Sequence, residues 1–130
     1  MRKNKKIEDS IHKQVAMYLK LQYPFIIFRT DFAAGIKLTI GQAVKHNSLQ
    51  SGASYPDLFI AHPSKGFHGL YIELKKELSD VYKKDMSLKN NKHIHAQHKM
   101  LLRLTGLGYK AVFACGFDHA KKIIDEYLKP

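Results

Sequence analysis

Apolar residues at positions 7, 11, 15, 18 and 19 recur at helical spacing, so residues 7–22 predict an amphipathic helix with its charged side chains opposite. Tyr23-Pro24 ends it. The apolar, partly β-branched run 25–28 predicts a core strand leading to Arg29-Thr30-Asp31. Between 32 and 55 the pattern breaks up around Gly35, Gly41 and Gly52, with one short helix expected near 42–49. Residues 57–61 and 69–75 are two further strands, and the turn residues at 62–68 join them as a β-hairpin. Residues 76–92 are polar and lysine-rich, which predicts an exposed, flexible connection. A second helix is expected over 96–107, with Met100, Leu101 and Leu104 on one face and Gln97 beside them. A core strand at 109–115 and a closing helix at 118–128 complete the order αβββαβα. That order predicts an α/β fold, a mixed central sheet flanked by helices, with an extra helix at the C-terminal end.

Length and composition add bounds. The 130 residues, 45% of them apolar, fit one domain spanning 1–130 that buries a core without disulfides. Cys115, the only cysteine, reads as a small hydrophobe in the last strand. Lysines and arginines number 22 against 11 acids, a formal charge of +11 spread along the chain, which predicts a polyanionic partner. Nucleic acid is the expected one; an anionic membrane surface is the competing reading. No stretch is long and apolar enough to span a bilayer, and the basic N-terminus runs into Ile7-Glu8-Asp9 rather than an apolar signal segment, so no membrane association and a cytoplasmic setting are expected.

The hairpin carries the chemistry. Alternation puts Leu70, Ile72 and Leu74 on one side of the second strand and Tyr71, Glu73 and Lys75 on the other. If Leu58 and Ile60 share the apolar side, the antiparallel register pairs Leu58 with Ile72 and Ile60 with Leu70, which sets Asp57 opposite Glu73. Directly opposed residues hold their β-carbons roughly 4.5–5.5 Å apart. Two carboxylates that close repel and raise each other's pKa, an unfavourable scaffold that a divalent cation relieves. Hard oxygen donors suit magnesium or manganese, and the backbone carbonyl of Leu74 can add a ligand. Lys75, two residues along on the same side, is placed to help activate water or to balance charge on a phosphate. The plain alternative is a turn-starting Pro56-Asp57 beside an ordinary Glu-Lys surface.

Pro56-Asp57 followed by Glu73-Leu74-Lys75 on the next strand resembles the signature of the PD-(D/E)XK nuclease superfamily, whose core is a restriction-endonuclease-like αβββαβ fold. Gly52-Ala53-Ser54-Tyr55, the Gln97 helix, Gly108-Tyr109 and the last strand are similar to its VRR-NUC family of virus-type replication-repair nucleases. The resemblance spans residues 7–128. It implies phosphodiester hydrolysis in DNA dependent on Mg2+ or Mn2+, with Asp57 and Glu73 as metal ligands and Lys75 as the catalytic lysine. It also implies an acidic residue on the first helix, Glu8, beside the metal and a glutamine, Gln97, in the centre. Glu8 has a plain alternative as a helix-start acid that complements the helix dipole. Standalone members imply branched DNA such as a four-way junction, cut by a homodimer in a bacterial or phage-infected cell. A general or restriction-like nuclease, and a DNA-binding protein on a nuclease fold that does not cut, are the other readings.

Three further groups are open. His93-x-His95-x-x-His98 has metal-ligand composition without a cysteine or carboxylate partner, and phosphate contact or plain solvation is the expected role. Lys83, Lys84, Lys89 and Lys92 make the 76–92 connection either a solvated loop or a DNA-gripping arm. Tyr55, Phe59 and Tyr71 flank the centre and are expected to pack rather than to stack on bases.

Overall fold

The computed structural model describes residues 2–31, 37–52 and 54–130, without the side chains of residues 2–6 and 8. Helix α1 (Arg2–Gln22) starts earlier than its apolar stripe, and Ile11, Val15 and Leu19 turn that stripe into the core. Strands β1 (Phe28–Thr30), β2 (Leu58–Ile60), β3 (Leu70–Lys75) and β4 (Lys110–Cys115) form one sheet in the order β1-β2-β3-β4. The first two pairings are antiparallel and β3 runs parallel to β4. Between them lie α2 (Ile40–Ser48), a 3-10 turn (Leu78–Asp80) and α3 (Lys92–Gly106), and α4 (Phe117–Leu128) follows. The expected α/β architecture, a mixed sheet flanked by helices with an additional C-terminal helix, is the one observed. Among the described residues no helix is long and apolar enough to cross a membrane.

The two faces of the sheet have separate cores. Leu58, Ile60, Leu70, Ile72 and Leu74 point toward α1 and α4, where Ile124 and Tyr127 close over them. Phe113 points the other way, against Ile94 and Leu101 of α3 and against Val81. The hairpin register is the expected one: Leu58 faces Ile72 and Ile60 faces Leu70. A slip of one residue would turn either the two inward side chains of β2 or the three of β3 to the wrong face, which is why the pattern of apolar residues constrains it strongly.

Two expectations are corrected. The strand expected over 25–28 is displaced to Phe28–Thr30 and sits at the sheet edge. A turn after Pro24, closed by the Ile26 amide on the Tyr23 carbonyl, consumes the start of the apolar run and leaves Phe25 96% exposed. The connection over 76–92 is built, not loose. Its 3-10 turn leads into a bridge between Tyr82 and Leu88, and the Lys89 amide donates to the Val81 carbonyl at 2.8 Å. Lys83, Lys84, Lys89 and Lys92 are exposed while Val81, 0% exposed, anchors it to the second core. Val81→Ala should therefore cost about 2 kcal/mol, read as a fall in Tm of roughly 6–10 °C. An unchanged Tm would show that this connection is not part of the folded unit.

Candidate active site

The ladder explains why the chain turns at Pro56-Asp57. Odd-numbered backbone groups of β3 face β4, as the Lys110 amide on the Gly69 carbonyl and the Gly116 amide on the Lys75 carbonyl show. Even-numbered groups face β2, so beyond the end of β2 the Leu74 amide and carbonyl both point to where residue 56 would pair. Pro56 has no N–H to return to that carbonyl. Asp57 Oδ2 accepts from the Leu74 amide at 2.9 Å in place of a backbone oxygen. The side chain of Asp57 is thus held in the plane of the sheet where the pairing stops.

Extending the register by one residue brings Asp57 opposite Glu73, and their carboxyl groups share a hydrogen bond. Asp31 completes the row, because its amide donates to the Asp57 carbonyl at 2.8 Å and its charge acts on Glu73. Glu73 is only 5% exposed, capped by α3. Asn91 starts that helix by accepting from the amides of His93 and Ile94. Gln97 then falls in the buried stripe of Ile94, Leu101 and Leu104, where Gln97 Nε2 donates to Glu73 Oε1 at 2.8 Å. Gln97 Oε1 is buried and has no hydrogen-bond partner among the described residues. A buried amide oxygen of that kind wants a donor such as water or an ammonium.

Burial pushes both carboxyls up, and Glu73 rises well above the usual range because Asp57 and Asp31 add negative charge beside it. Asp57 rises less, since the hydrogen bond with Glu73, the His12 ring, the Leu74 amide and Lys75 all favour its ionised form. Lys75, half-buried at the end of β3, lowers the pKa of both through its charge.

Among the described residues no group of three or more His, Cys, Asp or Glu side chains is already gathered as a metal cage. The donors present are nonetheless of one chemical kind. A buried carboxylate, a second one partly open to the groove and a carbonyl of fixed direction suit a hard divalent cation that takes its other ligands from water and phosphate oxygens. Gln97 joins that donor set through its amide nitrogen on Glu73.

This arrangement can be set beside known proteins. No protein-family profile matches the chain, and no curated protein does. A solved structure described as a VRR_NUC domain protein matches with a TM-score of 0.66 and 26% identity, covering 94% of this chain and 88% of that one. The chain is VRR-NUC-like.

Within this VRR-NUC-like fold, Asp57, Glu73, Leu74, Lys75 and Gln97 are brought together at one end of the β2–β3 pairing. Glu8 lies on α1, and its side chain is outside the described residues. His93 and His95 are exposed on α3. Two neighbours escaped the sequence reading. His12, one helical turn after Glu8 and buried, brings Nε2 within 3.8 Å of Asp57 Oδ2. Its signal was its place beside the Ile11-Val15-Leu19 stripe, which a polar residue occupies only with a partner. Asp31 could have been found only by carrying the β1–β2 register past the end of β1.

Proposed function

We propose that this chain is a metal-dependent nuclease that hydrolyses phosphodiester bonds in DNA. The observation that carries the reading is the buried Asp57–Glu73 pair, which costs stability unless something positive is bound between the carboxylates. Similarity to a VRR_NUC domain protein over nearly the whole chain supports it. Asp57, Glu73 and the Leu74 carbonyl would hold magnesium or manganese, with Glu8 and His12 on the neighbouring helix as outer members. When bound, the ion would supply Lewis-acid activation of the phosphate and of the attacking water. Gln97 fixes the rotamer of Glu73, and the Lys75 ammonium offsets the negative charge that grows on the phosphate oxygens as water attacks.

The finer reading is branched DNA as substrate and a homodimer as the working unit, since two strands cut symmetrically call for two centres. The exposed Ile40 and Val44, one turn apart on α2, offer such a dimer an apolar surface. A protein that binds DNA without cutting it has no use for a buried carboxylate pair held under a glutamine. The test is incubation with linear, flapped and four-way-junction DNA in magnesium, manganese or EDTA. Cutting in either metal and none in EDTA is expected, with the branched substrates cut faster than linear duplex. Metal-independent cutting, or none in any metal, would overturn the reading, and light scattering of the purified chain reads its oligomeric state.

A further inference from the structure

Next to the acidic row runs a second row on the same face of the sheet. The registers place Arg29 opposite Phe59 and Phe59 opposite Tyr71. The two rows are two residues apart along the strands, or about 7 Å, a span that one sugar-phosphate unit covers.

Phe59 is held as a fixed plate. Its ring stacks on Tyr71 with centroids 4.4 Å apart and planes 24° apart, and Tyr109 meets it edge-on at 6.1 Å. Gly69 makes the seat, because a β-carbon there would come within 2.9 Å of the ring. Tyr71 is buried, and Tyr55 reaches it with hydroxyls 3.2 Å apart. The expectation that these aromatics pack therefore holds for Tyr71. Phe59 packs as well but is only half-buried, and with Arg29, His46, Gln50, Tyr55 and Asp57 it lines a groove of about 450 Å³. That volume is of the size that holds small organic ligands, roughly 300–1,000 Å³. The groove shares Asp57 with the carboxylate site, so whatever fills it is continuous with whatever is bound there.

An immobile aromatic plate, a guanidinium opposite it and an amide side chain on the wall together match a nucleobase with its phosphate. A lipid tail would meet too many polar groups, and an acidic peptide would have no use for the plate. A base inside a duplex has both faces covered by its neighbours, so the ring can be reached only by an unpaired one. We propose that this groove is a nucleotide subsite that stacks one unpaired base on Phe59, with Arg29 on its backbone, and so directs the centre to DNA with unpaired nucleotides. The proposal rests on the nuclease reading and names its substrate feature.

The test uses a dye-labelled oligonucleotide carrying 2-aminopurine, in EDTA, as a single strand and as a duplex. Stacking should quench 2-aminopurine in the single strand and leave the duplex signal unchanged. Phe59→Leu should weaken single-strand affinity about tenfold and abolish the quench. Arg29→Gln, at an exposed position that does not endanger folding, should weaken the single strand several-fold, with duplex affinity within about twofold for both variants. Quenching that survives Phe59→Leu, or equal losses for single strand and duplex, would overturn the proposal. Metal-dependent cutting without quenching would overturn it alone, whereas failure to bind either DNA would overturn the nuclease reading as well. Quenching without cutting in any metal would leave the subsite standing and remove the enzyme.

Discussion

Glu73→Gln is expected to slow DNA cutting by on the order of a thousandfold while raising the melting temperature of the metal-free protein by several degrees. Both effects come from the same carboxyl. Glu73 is enclosed under α3 beside Asp57, where its ionised form is heavily disfavoured. An amide of equal shape removes the charge and keeps a hydrogen-bonding oxygen for Gln97, so the fold relaxes. The same exchange takes away half of the anionic donor set. Lys75→Ala should also lose activity, by about a hundredfold, without the gain in stability, because Lys75 is the group that moderates the carboxylates. Initial rates on a fluorescent junction substrate and calorimetric scans in EDTA measure the two readouts. Undiminished cutting by either variant would sink the mechanism, and a destabilised Glu73→Gln protein would show that the pair is a structural bond.

A pH dependence of unusual direction should accompany this. Both carboxyls have folded pKa values raised above the unfolded values of about 4. Protons are therefore bound more tightly in the folded state, and the stabilisation they give is full below about pH 4. It is lost as pH rises through the raised values and the carboxyls ionise. Metal-free protein should thus melt at progressively lower temperature as pH climbs from mildly acidic to neutral. Magnesium or manganese should cancel the decline. At a hundred times its Kd the ion contributes about 2.7 kcal/mol, and that gain should vanish in Glu73→Gln. Melting curves in EDTA and in metal across this range decide the matter; a metal-free Tm that does not change between them would refute the buried-pair account.

How much was legible in the sequence depended on whether a residue belonged to a periodic pattern. Leu58, Ile60, Leu70, Ile72 and Leu74 alternate, and alternation has only two phases, so the faces followed from apolar positions, and pairing Leu58 with Ile72 then brought Asp57 opposite Glu73. Gln97 was legible because it stands inside a helical stripe. The run 25–28 misled because four apolar residues look the same whether they form a strand or a turn onto the sheet edge. Residues 76–92 misled because a few anchors, Val81, Tyr82 and Leu88, order a segment whose average composition is that of a solvated loop. His12 and Asp31 are single residues on elements that reach the centre only through tertiary packing, and no local period marks them.

The ladder that sets the acidic and aromatic rows side by side also divides the chain by its tolerance of insertions. The turn at residues 65–66 can lengthen without moving either row, because the register is held by buried leucines and isoleucines and not by the turn. A single residue added between Leu70 and Lys75 would have the opposite outcome. It would turn Glu73 or Tyr71 into the α1–α4 core and separate the carboxylates from the plate, dismantling two sites with one codon.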